Sequence, residues 1–203
     1  MSNLKPPVVT LIPHALTVHA VTRTDDYYWL RERDNPEMLA YLEAENAYMQ
    51  AVMAHTEDFQ QTLYAEMLGR IQETDEDVPV RIGEYYYYTR TVEGQQYPIH
   101  CRKHRTLDAD EQVLLDLNHL VAENEWPYAK LGVYVPSPDH RLLAYSLDVA
   151  GDEHFTTYFK EIDSGELLAD RIVGTKYDGE WGNDNRTFFY VTQDHAKRDH
   201  ALY

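Results

Sequence analysis

The sequence predicts a mostly β chain with an N-terminal helical hairpin, its β part built as the first blades of a propeller. Three observations carry this. Apolar residues recur at helical steps only up to about Ile71. Beyond the acidic run Glu73-Thr-Asp-Glu-Asp77 the period falls to two, in short Tyr-rich segments separated by turn residues. Finally, Pro138-Asp-His-Arg-Leu-Leu-Ala-Tyr145 is echoed by Asn183-Asp-Asn-Arg-Thr-Phe-Phe-Tyr190, an offset of 45 residues when Asp139 is set on Asp184. Repeats of roughly 40–50 residues holding several short strands each are the mark of propeller blades. On periodicity alone, a single β-sandwich fits as well.

The elements follow in order. Residues 1–34 show little helical period and contain Pro6, Pro7 and Pro13, so they read as an extended arm that needs another surface. Tyr27, Tyr28, Trp29 and Leu30 form its most apolar spot, and Trp29 is expected to anchor it. Asn35 is a suitable cap for a helix whose first position, Pro36, lacks an N–H that would go unused there anyway. Met38, Leu42, Met49 and Val52 make its apolar stripe, widened by Leu39 and Tyr41. A second helix is expected from a Thr56 cap, with Glu57 and Asp58 at its positive end and Phe59, Leu63, Met67 and Ile71 along one face.

The acidic run marks a boundary between residues 1–77, the arm and hairpin, and residues 78–203, the first blades. Glu84 to Val92 and Gln96 to Arg105 flank Glu93-Gly94 as a β-hairpin. Val113 to Leu117, Gly132 to Val135, Leu142 to Leu147, Phe155 to Ile162, Leu167 to Val173 and Arg186 to Thr192 continue as strands. Ala201-Leu-Tyr203 reads as one just starting.

Composition narrows the function. With 203 residues and a 43% hydrophobic share the chain can build a real core, as one domain or two small ones, and it contains no apolar run of bilayer length. Met1-Ser-Asn-Leu-Lys-Pro-Pro7 lacks the apolar stretch of a secretory signal. Cys101 is the only cysteine, which excludes an intrachain disulfide and fits a reducing compartment; the cytoplasm is expected. A formal charge of −17 argues against nucleic acid or anionic membrane as partners. A solubilising surface is a simpler account of that charge than steering of basic peptides.

Two clusters invite a metal reading. His100-Cys-Arg-Lys-His104 offers imidazoles and a thiol, but strand alternation sets Cys101 on the face opposite His100 and His104. Glu73, Asp75, Asp77 and Glu84 mimic a calcium loop, yet Val78 stands where such a loop needs glycine and Pro79 follows. A solvent-facing strand and a solvated boundary loop are the better readings, and no metal or cofactor is implied. His14 and His19, in the arm, read as structural hydrogen-bonding residues.

Ile12-Pro-His-Ala-Leu-Thr-Val-His19, Arg23-Thr-Asp-Asp-Tyr-Tyr-Trp-Leu-Arg31 and Tyr41-Leu-Glu-Ala-Glu-Asn46 resemble the opening of the oligopeptidase B branch of the prolyl oligopeptidase family of serine peptidases. Val113-Leu-Leu-Asp-Leu-Asn118, Ser137-Pro-Asp139, Ala144-Tyr-Ser-Leu-Asp148 and Asp163-Ser-Gly-Glu166 are similar to that family's first propeller blades. The resemblance implies a seven-bladed propeller capping an α/β-hydrolase domain. It also implies a Ser-Asp-His triad that cleaves short peptides after Arg or Lys. The nucleophile of that fold sits in a G-x-S-x-G elbow, and none of Ser2, Ser137, Ser146 and Ser164 has that context. No catalytic residue is therefore assigned, and the chain is expected to be an inactive N-terminal piece that lacks its hydrolase domain. The alternatives are a free-standing noncatalytic binding module and, less simply, a hydrolase with an unfamiliar site. An unpaired strand edge around Phe188, Phe189 and Tyr190 is expected to drive self-association.

Overall fold

The computed structural model describes residues 4–203, which form two compact units, one ending at Ile71 and the other running from Gln72 to Tyr203. The arm in the first unit is more structured than its sequence suggests. β1 (His14–Val18) and β2 (Val21–Asp25) pair antiparallel across His19 and Ala20, whose φ values of 50° and 60° are both left-handed. Such a turn matches the twist of a hairpin, but it ordinarily advertises itself with Asn-Gly. Neither His nor Ala does. The chain then folds back on itself: Ile12 N–H donates to the Asp26 carbonyl at 2.9 Å and the His14 ring stacks on Tyr28 at 3.9 Å. Trp29, in a 3-10 turn (Tyr28–Arg31), is only 7% exposed and its indole N–H donates to the Thr10 carbonyl at 3.0 Å.

Helix α1 (Pro36–Met53) begins as its capping residue dictates, with the Asn35 side chain accepting the Glu37 N–H at 2.9 Å. A 3-10 turn (Ala54–Thr56) joins it to α2 (Glu57–Leu68). Thr56 does not act as the expected side-chain cap: its hydroxyl donates back to the Met53 carbonyl, because the backbone there is already helical. The two apolar stripes are not closed on each other. Met38 is buried, but Leu42, Met49, Val52, Phe59, Leu63, Met67 and Ile71 are all exposed.

The first strand of the second unit lies within the acidic run. β3 (Asp75–Glu76) pairs with Thr91 and Arg90 of β5 (Tyr85–Thr91), and β4 (Val80–Ile82) pairs with the other end of β5. β6 (Ile99–His104) and β7 (Glu111–Asp116) complete an antiparallel sheet in the order β3-β5-β6-β7. The sequence reading carried the next strand through Leu117. Instead Asp116 turns the chain into helix α3 (Leu117–Asn124), its carboxylate accepting the Asn118 and His119 N–H groups.

A larger sheet follows in chain order: β8 (Lys130–Pro136), β9 (Leu142–Asp148), β10 (Phe155–Glu161), β11 (Leu167–Trp181), β12 (Phe188–Gln193) and β13 (Asp199–Leu202), each antiparallel to the one before. β11 is twice the expected strand. Its first half pairs with β10 and its second with β12, the change falling near Gly174, whose φ of +76° lets the strand bend. The expected open edge at Phe188–Tyr190 is also displaced. β12 is paired on both sides, with Tyr190 and Tyr203 exchanging backbone hydrogen bonds, so the edge is β13. The strand expected to be starting at Ala201 begins at Asp199 and pairs with β12.

The core lies between sheets. Leu143, Tyr145 and Leu147 on one face of β9 pack with Tyr87, Leu114, Leu115 and Leu117 of the first sheet and its helix. Ala144, on the opposite face, packs with Phe159 and Trp181. On the far side of the first sheet Tyr88, Ile99 and Cys101 form a smaller cluster.

The first unit depends on one side chain. Truncating Trp29 to Ala is expected to destabilise it by about 3–5 kcal/mol, the usual cost of emptying a buried aromatic site. Trp29→Phe keeps most of the packing and loses the bond to Thr10, costing about 1 kcal/mol. Urea titrations followed by circular dichroism of the α1–α2 signal measure both; equal transitions for wild type and Trp29→Ala would refute the anchor.

Candidate functional site

The repeat seen in sequence is a repeat of geometry. At the β8–β9 turn the Asp139 carboxylate accepts the Ser137 hydroxyl at 2.7 Å and the Arg141 N–H at 3.2 Å. At the β11–β12 turn Asp184 accepts the Arg186 and Thr187 N–H groups at 3.0 and 2.8 Å. These bonds, the Thr187 hydroxyl foremost, hold the Asp184 carboxyl at about 2. The residue after each aspartate, His140 or Asn185, is left-handed at φ 62° or 59°. The turns also touch in series: the Asp139 N–H donates to the Asn185 side chain at 2.8 Å. A Cβ on Gly83, in the β4–β5 turn, would stand 2.8 Å from His140 Nε2, and with φ +60° the position suits glycine on both counts.

The densest polar cluster lies where the two sheets meet. Arg102 on β6 is 1% exposed, and each of its three guanidinium nitrogens has a partner. Its Nε donates to Gln112 Oε1 at 2.7 Å, Nη1 to the His140 carbonyl at 2.7 Å, and Nη2 to Asp163 Oδ1 at 3.2 Å. The guanidinium lies 4.0 Å from the centre of the Tyr85 ring. Gln112 passes the contact on to the Ile162 carbonyl at 3.2 Å, and Tyr87 hydrogen-bonds His140 Nδ1 at 2.8 Å. Burial, reinforced by the Arg102 charge, lowers the His140 pKa; burial against Tyr134 lowers that of His100. This cluster fastens one sheet to the next and leaves no group free to attack a substrate.

The residues weighed for chemistry from sequence are scattered. Ser146 is buried and accepts the Val133 N–H at 2.7 Å; Ser137 is held in its turn by Asp139; Ser164 donates to Glu161 at 2.6 Å in the β10–β11 turn. Ser2 lies outside the described residues. Cys101 and His100 occupy opposite faces of β6, and burial pushes the Cys101 thiol up to about 12, far from the thiolate that binds zinc. His104 is exposed beside Glu84 at 3.8 Å. Glu73, Asp75 and Asp77 do not wrap a centre: Asp75 is in β3, and the Asp77 N–H donates to the Thr89 carbonyl at 2.9 Å. His14 stacks on Tyr28, and His19 holds the β1–β2 turn. Arg102, passed over in sequence between two histidines, is the residue that matters in this stretch. Its neighbours across the sheets were invisible without the register.

The family model described as the prolyl oligopeptidase N-terminal β-propeller domain matches residues 7–202. The chain belongs to the prolyl oligopeptidase family. Within it, the chain is 42% identical over 211 aligned residues to a dipeptidyl aminopeptidase BI of Pseudoxanthomonas mexicana, covering 95% of this chain and 29% of that relative. It is 38% identical to a Protease 2 of Moraxella lacunata, covering 98% and 30% respectively. The oligopeptidase B structure from Leishmania major superposes with a TM-score of 0.90 at 30% identity, over 98% of this chain and 30% of that one. The chain thus spans about 30% of the length of these relatives. Its sheets are blades of the propeller domain, β11 running from one blade into the next. None of the helices among the described residues is long and apolar enough to cross a membrane.

Two outcomes test the inter-blade cluster. Arg102→Ala strands the His140 carbonyl and the Gln112 side chain, and each buried acceptor left unsatisfied costs about 1–3 kcal/mol. Lysine cannot span three acceptors, so Arg102→Lys should rescue little; chemical denaturation that finds either variant as stable as wild type would refute the fastening role of Arg102. The second outcome concerns acid. The folded pKa values of His140 and His100 lie below their unfolded value of about 6.5, so the stability they confer is present above that pH and is lost as pH falls through the folded values. A His100→Gln/His140→Asn double variant, with Asn suited to the left-handed site, should flatten the fall in melting temperature between about pH 7.5 and 5.5. An unchanged slope would rule the two histidines out.

Proposed function

We propose that the chain is the N-terminal, propeller-containing part of a serine oligopeptidase that cleaves short peptides after Arg or Lys, with the propeller limiting the size of the substrate. The observation that carries this reading is the superposition on an oligopeptidase B over nearly the whole chain, together with substantial identity to a Protease 2. The triad and its nucleophile elbow belong, in this reading, to an α/β-hydrolase domain beyond these residues. That accords with the structural duties of Ser137, Ser146 and Ser164. The size limit follows from the blade stacking: blades packed face to face into a closed ring leave an axial passage too narrow for a folded protein. The fully buried single cysteine supports a cytoplasmic setting.

The test uses fluorogenic peptides with the complete gene product and with this chain alone. The complete protein should hydrolyse Arg- and Lys-ended substrates, lose that activity to a serine-directed phosphonate, and spare folded proteins of the same sequence context. This chain alone should give no inhibitor-sensitive turnover. Release of dipeptides from a free N-terminus would instead align the enzyme with its dipeptidyl aminopeptidase relative.

A further inference from the structure

Lys160 holds a position that the peptidase reading does not use. On β10 it shares the face of Tyr158, which looks toward the first blade, while Phe159 faces the next one. Its ammonium donates to the Leu114 carbonyl at 3.0 Å, and that is its single acceptor among the described residues. A lysine has three donors, so two N–H directions remain. Lys160 itself lines a cleft of about 240 Å³ between β7 and β10–β11, together with Val113, Leu115, Leu120, Tyr145 and Leu167.

The charge at this place has no counter-ion. Acidic residues outnumber Lys and Arg by 35 to 18 in the chain, yet among the described residues no carboxylate lies within ion-pairing distance of Lys160. Asp116 lines the same cleft, its Oδ1 accepting the Asn118 and His119 N–H groups at the start of α3, and it is not within ion-pairing distance of Lys160. His119 is turned to Glu123, 3.2 Å away. A half-buried cation in apolar surroundings is costly unless paired, and burial accordingly lowers the Lys160 pKa.

We propose that this cleft binds a small carboxylate with an apolar tail, the head group on the Lys160 ammonium and the tail against Leu115, Leu120 and Leu167. The head would make a charge-assisted hydrogen bond, roughly twice as strong as a neutral one. The tail would cover the half-buried Leu120 and the exposed Leu167, with the buried Leu115 as the floor. The volume sits below the roughly 300–1,000 Å³ of sites for drug-sized ligands, which restricts the guest to a short chain or a single residue. Beside Lys160 the wall is Gly165, where a Cβ would stand 3.8 Å from Lys160 Cε, so the stem of the lysine keeps its place without crowding. This inference is independent of the peptidase reading.

Calorimetric titration of the protein with octanoate, N-acetyl-leucine and octanol tests it. Saturable binding is expected for at least one carboxylate, with octanol about tenfold weaker or more, the equivalent of one charged hydrogen bond. If octanoate binds more tightly than N-acetyl-leucine the natural guest is lipid-like; the reverse order makes it peptide-like. Lys160→Met should abolish the preference for the anion. Because that change also removes the bond to Leu114, a second variant is needed. Leu167→Glu, at the exposed rim, leaves the bond intact and sets a like charge against the carboxylate, so binding should again fall about tenfold. Equal affinity for octanol and octanoate, undiminished binding by both variants, or no carboxylate binding at all would overturn the proposal.

Discussion

β9 is buried on both faces, and the rest of the second unit is arranged to keep it so. A sheet covered on one side can meet water on the other; a sheet covered on both must have neighbours front and back. Leu143, Tyr145 and Leu147 require the first blade, and Ala144 requires the blade begun by the second half of β11. The hydrophobic term therefore works between blades as much as within them. Removing any one blade would expose apolar surface on its neighbour, at about 25 cal/mol for each Å² uncovered.

Apolar surface sets no register, and the polar contacts supply it. Arg102 bonds Gln112 on the neighbouring strand of its own sheet and reaches across the blade boundary to two acceptors, the His140 carbonyl in the β8–β9 turn and Asp163 in the β10–β11 turn. A buried cation of this kind adds modestly to net stability, since its desolvation offsets most of the gain, but any sliding of one blade on the next would leave it unpaired. The turn-to-turn contacts of His140 on Gly83 and of Asn185 on Asp139 repeat the device at a smaller scale. If the propeller limits which peptides reach a catalytic domain, its aperture is only as well defined as these fastenings.

What was legible in the sequence was whatever is encoded locally. Asn35-Pro36 announced its helix, Glu93-Gly94 its hairpin, and Asp139 and Asp184 their paired turns, because each signal lies within a few residues of its effect. The β1–β2 hairpin escaped because His19 and Ala20 adopt left-handed backbone without the residues that normally permit it. Helix α3 escaped because Val113–Leu117 reads as one apolar run, while Asp116 inside it both ends the strand and caps the helix. The strand expected over Leu167–Val173 runs on to Trp181, bending at Gly174. For the candidate site the gap was wider. Neither the role of Arg102 nor the setting of Lys160 follows from neighbours in sequence. Their partners are tens of residues away and arrive only when strands come into register.

The order of strands has a consequence for how the chain is made. In the larger sheet each strand pairs with the one preceding it, so on a ribosome every new strand would emerge beside a partner already in place. Growth by successive hairpins keeps most pairing local and favours rapid assembly. Arg102 breaks that pattern, since its last acceptor, Asp163, is 61 residues downstream. The first blade would therefore wait, its guanidinium still in water, until the second was nearly complete. Vectorial synthesis would lay the blades down one at a time, and each would lock only when its successor arrived.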